Sequence, residues 1–474
     1  MNIIVNGFHN RSHFRVIAKL CKDFGIKYAA HVYSQEAYPL PGSVKTDFFK
    51  WQEVFYHANY SLDPEKLIPL DEELICAMRN CEAVALDMMS RMERYKNYCY
   101  GERKELYLSH LRVWNHIIEQ KKIDLLISSN VPHLVHDYIA YELCLLKKIP
   151  TIILKQSQVH GSFLIFENWE KLNPEIKTKY SHYLRQKEIK LSENFNRHYL
   201  VQTGKGDATP FYMKKTSRVR RLSAWLKSLI EEREWGRRLK FGTGEFLTAL
   251  KIALKTRLLM RYLEKVSVEP DFNKKYIYLP LHLQPEMTTS PCADAFVDQY
   301  LIIDLLSSVL PKGYLIYVKE NPKQTSLLRS RRYYDRIIKH QNVRIVSRKT
   351  NTYDLIAHCQ AVATATGTAG WEALFRGKPV IMFGHNFYQY APGVCQVESL
   401  EDAKAAIDFI KEAKNQPTDK QMKAFLKAFE QTTIPGYVDP HYCQASPLTE
   451  SQNEVSLAKA IGDYMVKLGF EKHD

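Results

Sequence analysis

The sequence predicts an α/β protein: two Rossmann-like α/β halves with a cleft between them, and a basic helical connector or insertion. Three observations carry this. Short apolar runs alternate with helix-length segments from residue 2 to residue 154. The same alternation restarts at Tyr276. Between the two stretches lies a segment without strand character. Strands separated by helices pair in parallel, and such sheets bind ligands at the carboxyl ends of their strands.

In the first half, residues 2–6 (Asn-Ile-Ile-Val-Asn) read as a strand and 11–24 as the helix after it. Residues 86–120 are rich in helix formers and read as one or two covering helices. Residues 123–128 are a buried-strand run that ends at the polar Ser129-Asn130. A helix over 136–147 and a strand over 150–154 complete the unit. In the second half, strands are expected at 276–281, 314–318, 343–346, 361–365 and 379–383. Helices are expected at 294–310, from Thr352 and from Trp371, with a last one at about 454–468. The expected division is 1–205, a connector at 206–270, a second domain at 271–440, and a terminal helix within 450–474.

The 474 residues are 45% apolar and 25% charged, which suits domains that each bury a core. This composition excludes a disordered chain, a collagen-like rod and a disulfide-stapled scaffold. No apolar run reaches membrane-spanning length, and residues 1–7 lack the features of a signal peptide. The nine cysteines are odd in number, with no C-x-x-C pair. That favours a reducing, cytoplasmic setting and no zinc ribbon. Residues 211–265 hold 15 Lys/Arg against 5 Asp/Glu, a net +10 of the chain's +15. Such a segment points to an anionic partner: nucleic acid, a membrane surface, or an acidic glycan or lipid. No nucleic-acid recognition signature accompanies it, so no specific nucleic-acid partner is expected. Trp225, Leu226, Leu229 and Ile230 fall on one helical face. Leu250, Ile252, Leu254, Leu258 and Leu259 suggest a second helix.

Four segments could carry chemistry. In Ala365-Thr366-Gly367-Thr368-Ala369-Gly370-Trp371-Glu372, a buried strand turns into a helix through small residues. Its glycines allow close backbone approach, and N–H groups at the helix start favour an anion. Thr366 and Thr368 add hydroxyl donors, and Glu372 could accept bonds from sugar hydroxyls. Taken alone, the segment is better read as a tight strand–helix turn, with Glu372 complementing the helix dipole. In Pro280-Leu281-His282-Leu283-Gln284-Pro285-Glu286, His282 suits proton transfer near neutral pH or donation to a charged oxygen, with Glu286 orienting it. A structural loop with a hydrogen-bonded histidine is the alternative. In Lys319-Glu320-Asn321-Pro322, Lys319 could offset phosphate charge, or the segment is a solvated turn. After the last strand, His385, Asn386 and Tyr388 ring the same cleft edge or form a polar loop. In the first half, Asn130, His133, His136 and Asp137 cluster after a strand. Their spacing favours a structural or acceptor-binding role over a metal site.

Together, Pro-Leu-His-x-Gln-Pro-Glu, Val-Lys-Glu-Asn-Pro, Thr-Gly-Thr-Ala-Gly-Trp-Glu-Ala-Leu and Gly-Lys-Pro-Val-Ile-x-Phe-Gly-x-x-Phe-Tyr resemble the capsule polysaccharide biosynthesis family of bacterial glycosyltransferases, which includes β-Kdo transferases. The resemblance covers about residues 275–400. It implies a two-Rossmann (GT-B) fold and a nucleotide-sugar donor, used as a co-substrate with no tightly bound cofactor, held by the C-terminal half. Carried over, Thr366, Gly367, Thr368 and Gly370 contact the donor phosphate and Glu372 the ribose. Lys319 and Asn321-Pro322 face the donor's anionic part, with His385 near them. His282 and Glu286 line the reaction centre, and the terminal helix packs back across the first domain. Relatives usually carry His-Pro where this chain has Asn321-Pro322, and an amide carries no positive charge. The Glu-Asp-Gly segment of the longer Kdo transferases is absent.

The function expected is transfer of Kdo or another acid sugar, from a CMP-linked donor, to a surface polysaccharide or its lipid-linked precursor. Asp137 and His133 are the candidate base or nucleophile from the first domain. The basic helices would meet an anionic glycan or the inner membrane, making the protein peripheral there. A non-catalytic polysaccharide-binding or assembly protein with the same fold is the alternative.

Overall fold

The computed structural model describes residues 1–34, 36–94, 98–205 and 243–473. Alternating burial along each strand sets the architecture. In β1 (Asn2–Asn6), β4 (Leu125–Ser128) and β5 (Thr151–Gln156), Ile3, Val5, Leu125, Ile127, Ile152 and Leu154 share one face. They pack on Val16, Ile17 and Leu20 of the helix Arg11–Asp23 and on Leu457, Ile461 and Met465 of the helix Glu450–Lys467. Ile4, Leu126 and Ile153 face the other way, toward Leu111, Trp114 and Ile118 of the helix Tyr100–Lys121. A period of two thus yields two covered faces, as a parallel sheet requires.

The first sheet adds β2 (Tyr28–Tyr33), β3 (Lys45–Lys50) and β6 (Ser162–Phe166), plus a two-residue β13 (Ile434–Pro435). Its order is β13-β6-β5-β4-β1-β2-β3, with β6 antiparallel to both neighbours. The second sheet is wholly parallel and runs β12-β11-β10-β7-β8-β9. Its strands are β7 (Lys275–Pro280), β8 (Tyr314–Lys319), β9 (Val343–Val346), β10 (Ala361–Thr364), β11 (Val380–Met382) and β12 (Val394–Gln396). From the first strand outward this is the Rossmann order 3-2-1-4-5-6. The order reverses between β7 and β10, so a ligand crevice is expected beyond their carboxyl ends.

Three sequence expectations change. The chain returns to the first half near residues 412–418, not after 440. The helix Asp419–Glu430 packs on the helices Ile176–Leu184 and Glu193–Leu200, and β13 joins β6. The boundary moves because Phe425 and Phe429 bury with Tyr180 and Phe195 of the first half. The helix expected from Trp371 begins at Thr368, capped by Gly367. The apolar face assigned to residues 250–259 turns outward in part. In the helix Thr243–Val266, Leu259, Met260 and Leu263 join the second core, while Leu250, Leu254 and Leu258 are more than half exposed. The face assigned to Trp225, Leu226, Leu229 and Ile230 lies outside the described residues. No described helix is long and apolar enough to cross a membrane.

Candidate active site

Two loops of the second half are fixed by one buried ion pair. Glu320, at the end of β8, meets Arg329 at 2.9 Å and accepts a hydrogen bond from Tyr334 at 2.8 Å. Arg329 also donates to Gln284 Oε1 and to the His282 carbonyl. An ion pair this buried persists only with full hydrogen bonding, which it has here. It locks residues 282–284 and 319–321 side by side at the crevice.

His282 follows β7 and is buried. Its N–H donates to Gln299 Oε1 at 2.6 Å, and Gln299 Nε2 returns a bond to its carbonyl. Its Nε2 lies 3.0 Å from Thr364 Oγ1 and accepts from the Thr366 N–H at 3.3 Å. Burial, reinforced by Arg329, pushes its pKa down to about 4. The ring is therefore neutral at pH 7, with its Nε2 engaged by the Thr366 N–H. Gln299, Thr364 and Thr366 do the orienting expected of Glu286. That residue is exposed at the cleft edge, where its carbonyl accepts from Thr289.

The glycine turn is bound to this histidine. Gly367 N–H donates to Thr364 Oγ1 at 2.9 Å, and a Cβ at 367 would lie 3.0 Å from His282 Cε1. The Thr366 hydroxyl donates to the Thr288 carbonyl at 2.6 Å. The N–H groups of Thr366 and Gly367, expected to face an anion, are thus used within the protein. Gly370 is corrected as well. It is buried in the first helical turn, and a Cβ there would lie 2.5 Å from Tyr388 Oη. It serves the packing of helix on strand rather than a phosphate.

Around these groups open two adjoining cavities. The first, about 280 Å³, is lined by His282, Glu286, Asn321, Thr366, Gly367, Thr368, His385 and Asn386. The second, about 330 Å³, is lined by Tyr278, Lys319, Asn321, Tyr353, Thr368 and Glu372. They meet at Pro280, Leu281, Asn321, Thr368 and Ala369. Lys319 is buried, and its ammonium donates to the Thr350 carbonyl at 2.5 Å and to Thr352 Oγ1 at 2.9 Å. Burial pushes Glu372 up to about 7, against the nearby Arg376 and Thr368.

The sequence reading missed two residues from the other half that line the first cavity, Lys155 and Gln158. Lys155, near the end of β5, lines the first cavity and donates to Asn386 Oδ1 at 3.2 Å. Asn386 in turn donates to the Thr366 carbonyl at 2.5 Å. A lysine closing a buried strand at its carboxyl end was the available signal. Trp169 lies edge-on to His385 at 5.8 Å, and Trp371 donates to His198 at 3.0 Å. Side chains of both halves therefore border the cleft.

Asp137 is buried and lines neither cavity. Its Oδ1 accepts the Leu134 N–H at 2.7 Å at the start of the helix Val135–Leu146, and burial raises its pKa to about 7. His133 donates from Nδ1 to the Val131 carbonyl at 2.7 Å. With Arg91 it borders a third cavity of about 360 Å³, which reaches Glu286, Met287 and Thr288. Among the described residues no three His, Cys, Asp or Glu side chains form a metal-binding group. A larger cavity of about 1020 Å³ lies between residues 165–175 and the terminal helix and shares no residue with this site.

Fold and cleft define a two-Rossmann α/β protein of GT-B type, with a two-part cavity at the switch point of its second sheet. Residues 254–437 match the family model described as capsule polysaccharide biosynthesis protein, which includes all four motifs. The chain therefore resembles that family across its second half. No curated protein matches the chain. Among solved structures, the β-Kdo 2,7 transferase KpsC of Thermosulfurimonas dismutans is similar at 12% identity. That match covers 83% of this chain and 97% of the other, with a TM-score of 0.30. A UDP-GlcNAc 2-epimerase from Methanocaldococcus jannaschii is similar at 14% identity, covering 91% and 97%, with a TM-score of 0.28. Anabaena Alr3699/HepE, solved with UDP-glucose, is similar at 11% identity, covering 98% and 100%, with a TM-score of 0.24. Likeness at these scores transfers no residue role.

Proposed function

We propose that the protein is a glycosyltransferase acting in capsule or other surface-polysaccharide synthesis. In this reading a nucleotide-sugar donor, with CMP-linked acid sugars such as Kdo as the first class to try, occupies the paired cavities of the second half. The acceptor, a glycan or glycolipid, enters from the first half. The observation that carries the reading is the pairing itself. Tyr278, Tyr353 and Glu372 offer an aromatic and carboxylate surround suited to a nucleoside. The adjoining cavity offers His282, Thr368, Asn321 and His385 to the phosphate and sugar. Donor and acceptor held in one closed cleft supply the positional part of catalysis. On the first-half side, His133 borders the third cavity, which reaches Glu286, and is the candidate acceptor-side group.

Calorimetric titration with CMP, UDP, GDP and their sugars tests this. Selective binding of one nucleotide is expected, weakened at least tenfold by Glu372→Ala. Unchanged affinity in that variant removes Glu372 from the donor site. The alternative of a non-catalytic assembly protein is favoured by Asn321 and by the internal use of the Thr366 and Gly367 N–H groups. A folded protein that binds no nucleotide would support it.

A further inference from the structure

Lys155 belongs to the first half, yet its side chain ends among groups of the second. Its ammonium reaches Asn386 Oδ1 at 3.2 Å, an oxygen that already accepts the Phe387 N–H at 2.8 Å. An ammonium has three donors, and this one bond is the one recorded for it among the described residues. No described carboxylate pairs with it. The Cys292 thiol, which interacts with it electrostatically, is held by burial above its ordinary pKa and is therefore neutral at pH 7. Lys155 is partly buried, and desolvation lowers its pKa. A partly desolvated ammonium with no carboxylate partner is one that an anionic ligand stabilises in its charged form.

The surroundings narrow the ligand. Lys155 lines the same cavity as Thr366, Gly367, Thr368, His385 and Asn386. There the Thr366 and Gly367 N–H groups are taken, His282 is neutral and Asn321 is an amide. Lys319 belongs to the other cavity, where two oxygens hold its ammonium. Lys323 is exposed at the rim. The deep positive charge of this cavity is thus supplied from across the cleft.

We propose that Lys155 is the charge partner of the nucleotide phosphate, filling from the first half the role that Asn321 cannot fill from the second. The proposal rests on the donor reading above. It makes phosphate binding depend on both halves, because Lys155 and the glycine turn are tied through Asn386. A nucleotide therefore draws the halves together, whereas a nucleoside without phosphate does not.

The test is calorimetry of the full chain with CMP, UDP and GDP, each against its own nucleoside, for wild type, Lys155→Met and Lys155→Arg. Methionine keeps the length and apolar stem, so the fold is expected to survive, and thermal unfolding checks this. Lys155→Met should weaken the preferred nucleotide about 10- to 100-fold. It should leave the nucleoside within twofold of wild type, and Lys155→Arg should restore part of the loss. A merely structural tie to Asn386 would lower the unfolding temperature without splitting nucleotide from nucleoside. Equal nucleotide affinity in wild type and Lys155→Met overturns the proposal while leaving the donor reading intact. Wild-type protein that binds none of CMP, UDP and GDP overturns both. If Lys155→Met does not fold, the same comparison is made with Lys155→Gln and Asn386→Ala, the latter predicted to weaken nucleotide but not nucleoside.

Discussion

Tyr388 Oη occupies the space that a side chain at 370 would need, and the same hydroxyl donates to the Gly367 carbonyl. Gly370→Ala should therefore cost about 1–3 kcal/mol through overpacking. Urea unfolding measures it, and a loss below a few tenths would show that the tyrosine yields freely. Asp137 gives a residue-scale prediction with a definite sign. Its folded pKa of about 7 lies above its ordinary 3.8. The stability it contributes is therefore full below about pH 4 and is lost as pH rises through 7. Asp137→Asn keeps the oxygen that accepts Leu134 N–H and removes the charge. Relative to wild type it should gain stability between pH 4.5 and pH 8, and a flat difference would mean that the nearby Arg91 offsets the buried charge. Neither environment is visible in the sequence. Gly370 reads there as a phosphate-binding glycine because its Tyr388 neighbour is 18 residues away and on another loop.

At the scale of elements, the helix Thr243–Val266 presents two faces. Leu259, Met260 and Leu263 bury against the second sheet, while Leu250, Leu254 and Leu258 are 56%, 58% and 54% exposed. Exposed Lys251, Lys255, Arg257 and Arg261 surround the second set. Three leucines one turn apart within a cationic surround suit an anionic membrane surface, which adds apolar burial to charge attraction. Liposome flotation should recover the protein with vesicles containing anionic lipid and not with neutral ones. Leu254→Ser with Leu258→Ser should reduce recovery several-fold, and equal recovery would assign any binding to charge alone. The helix was legible from its composition, but its orientation was not, since leucines lie on both sides. Packing against the helix Arg331–Ile338 decided which side turned inward.

Across the whole molecule, burial sets the response to acid. Ten of the described histidines are held below their ordinary pKa, with burial the leading cause throughout. A group depressed on folding loses its stabilising contribution as pH falls through the unfolded value, here 6.5, toward its lower folded value, which is about 4 for five of them. Four carboxyl groups, Asp87, Asp137, Glu142 and Glu372, are raised by burial and act in the opposite direction. The histidines outnumber them, so unfolding free energy should fall between pH 6.5 and pH 4. Urea titrations across that range check this, and stability that rises on acidification would mean the carboxyl groups dominate.

Sequence alone determined two α/β halves built on parallel strands, because short buried strands between helices leave few alternatives, but not β2, β3, β12 or the antiparallel β6. It also determined the second crevice, since His282, Lys319, Thr366–Thr368 and His385 each follow a strand whose carboxyl end must open there. Tertiary structure decided what those residues do. His282 is neutral because it is buried against Thr364 and beside Arg329, a fact of distance rather than of spacing. The early return of the chain came from aromatic packing between Phe425, Phe429 and the first half, which no local pattern announces. Lys155 reached the cleft only because two halves more than a hundred residues apart close on one another. A charge contributed across such a gap has no signature in either half alone.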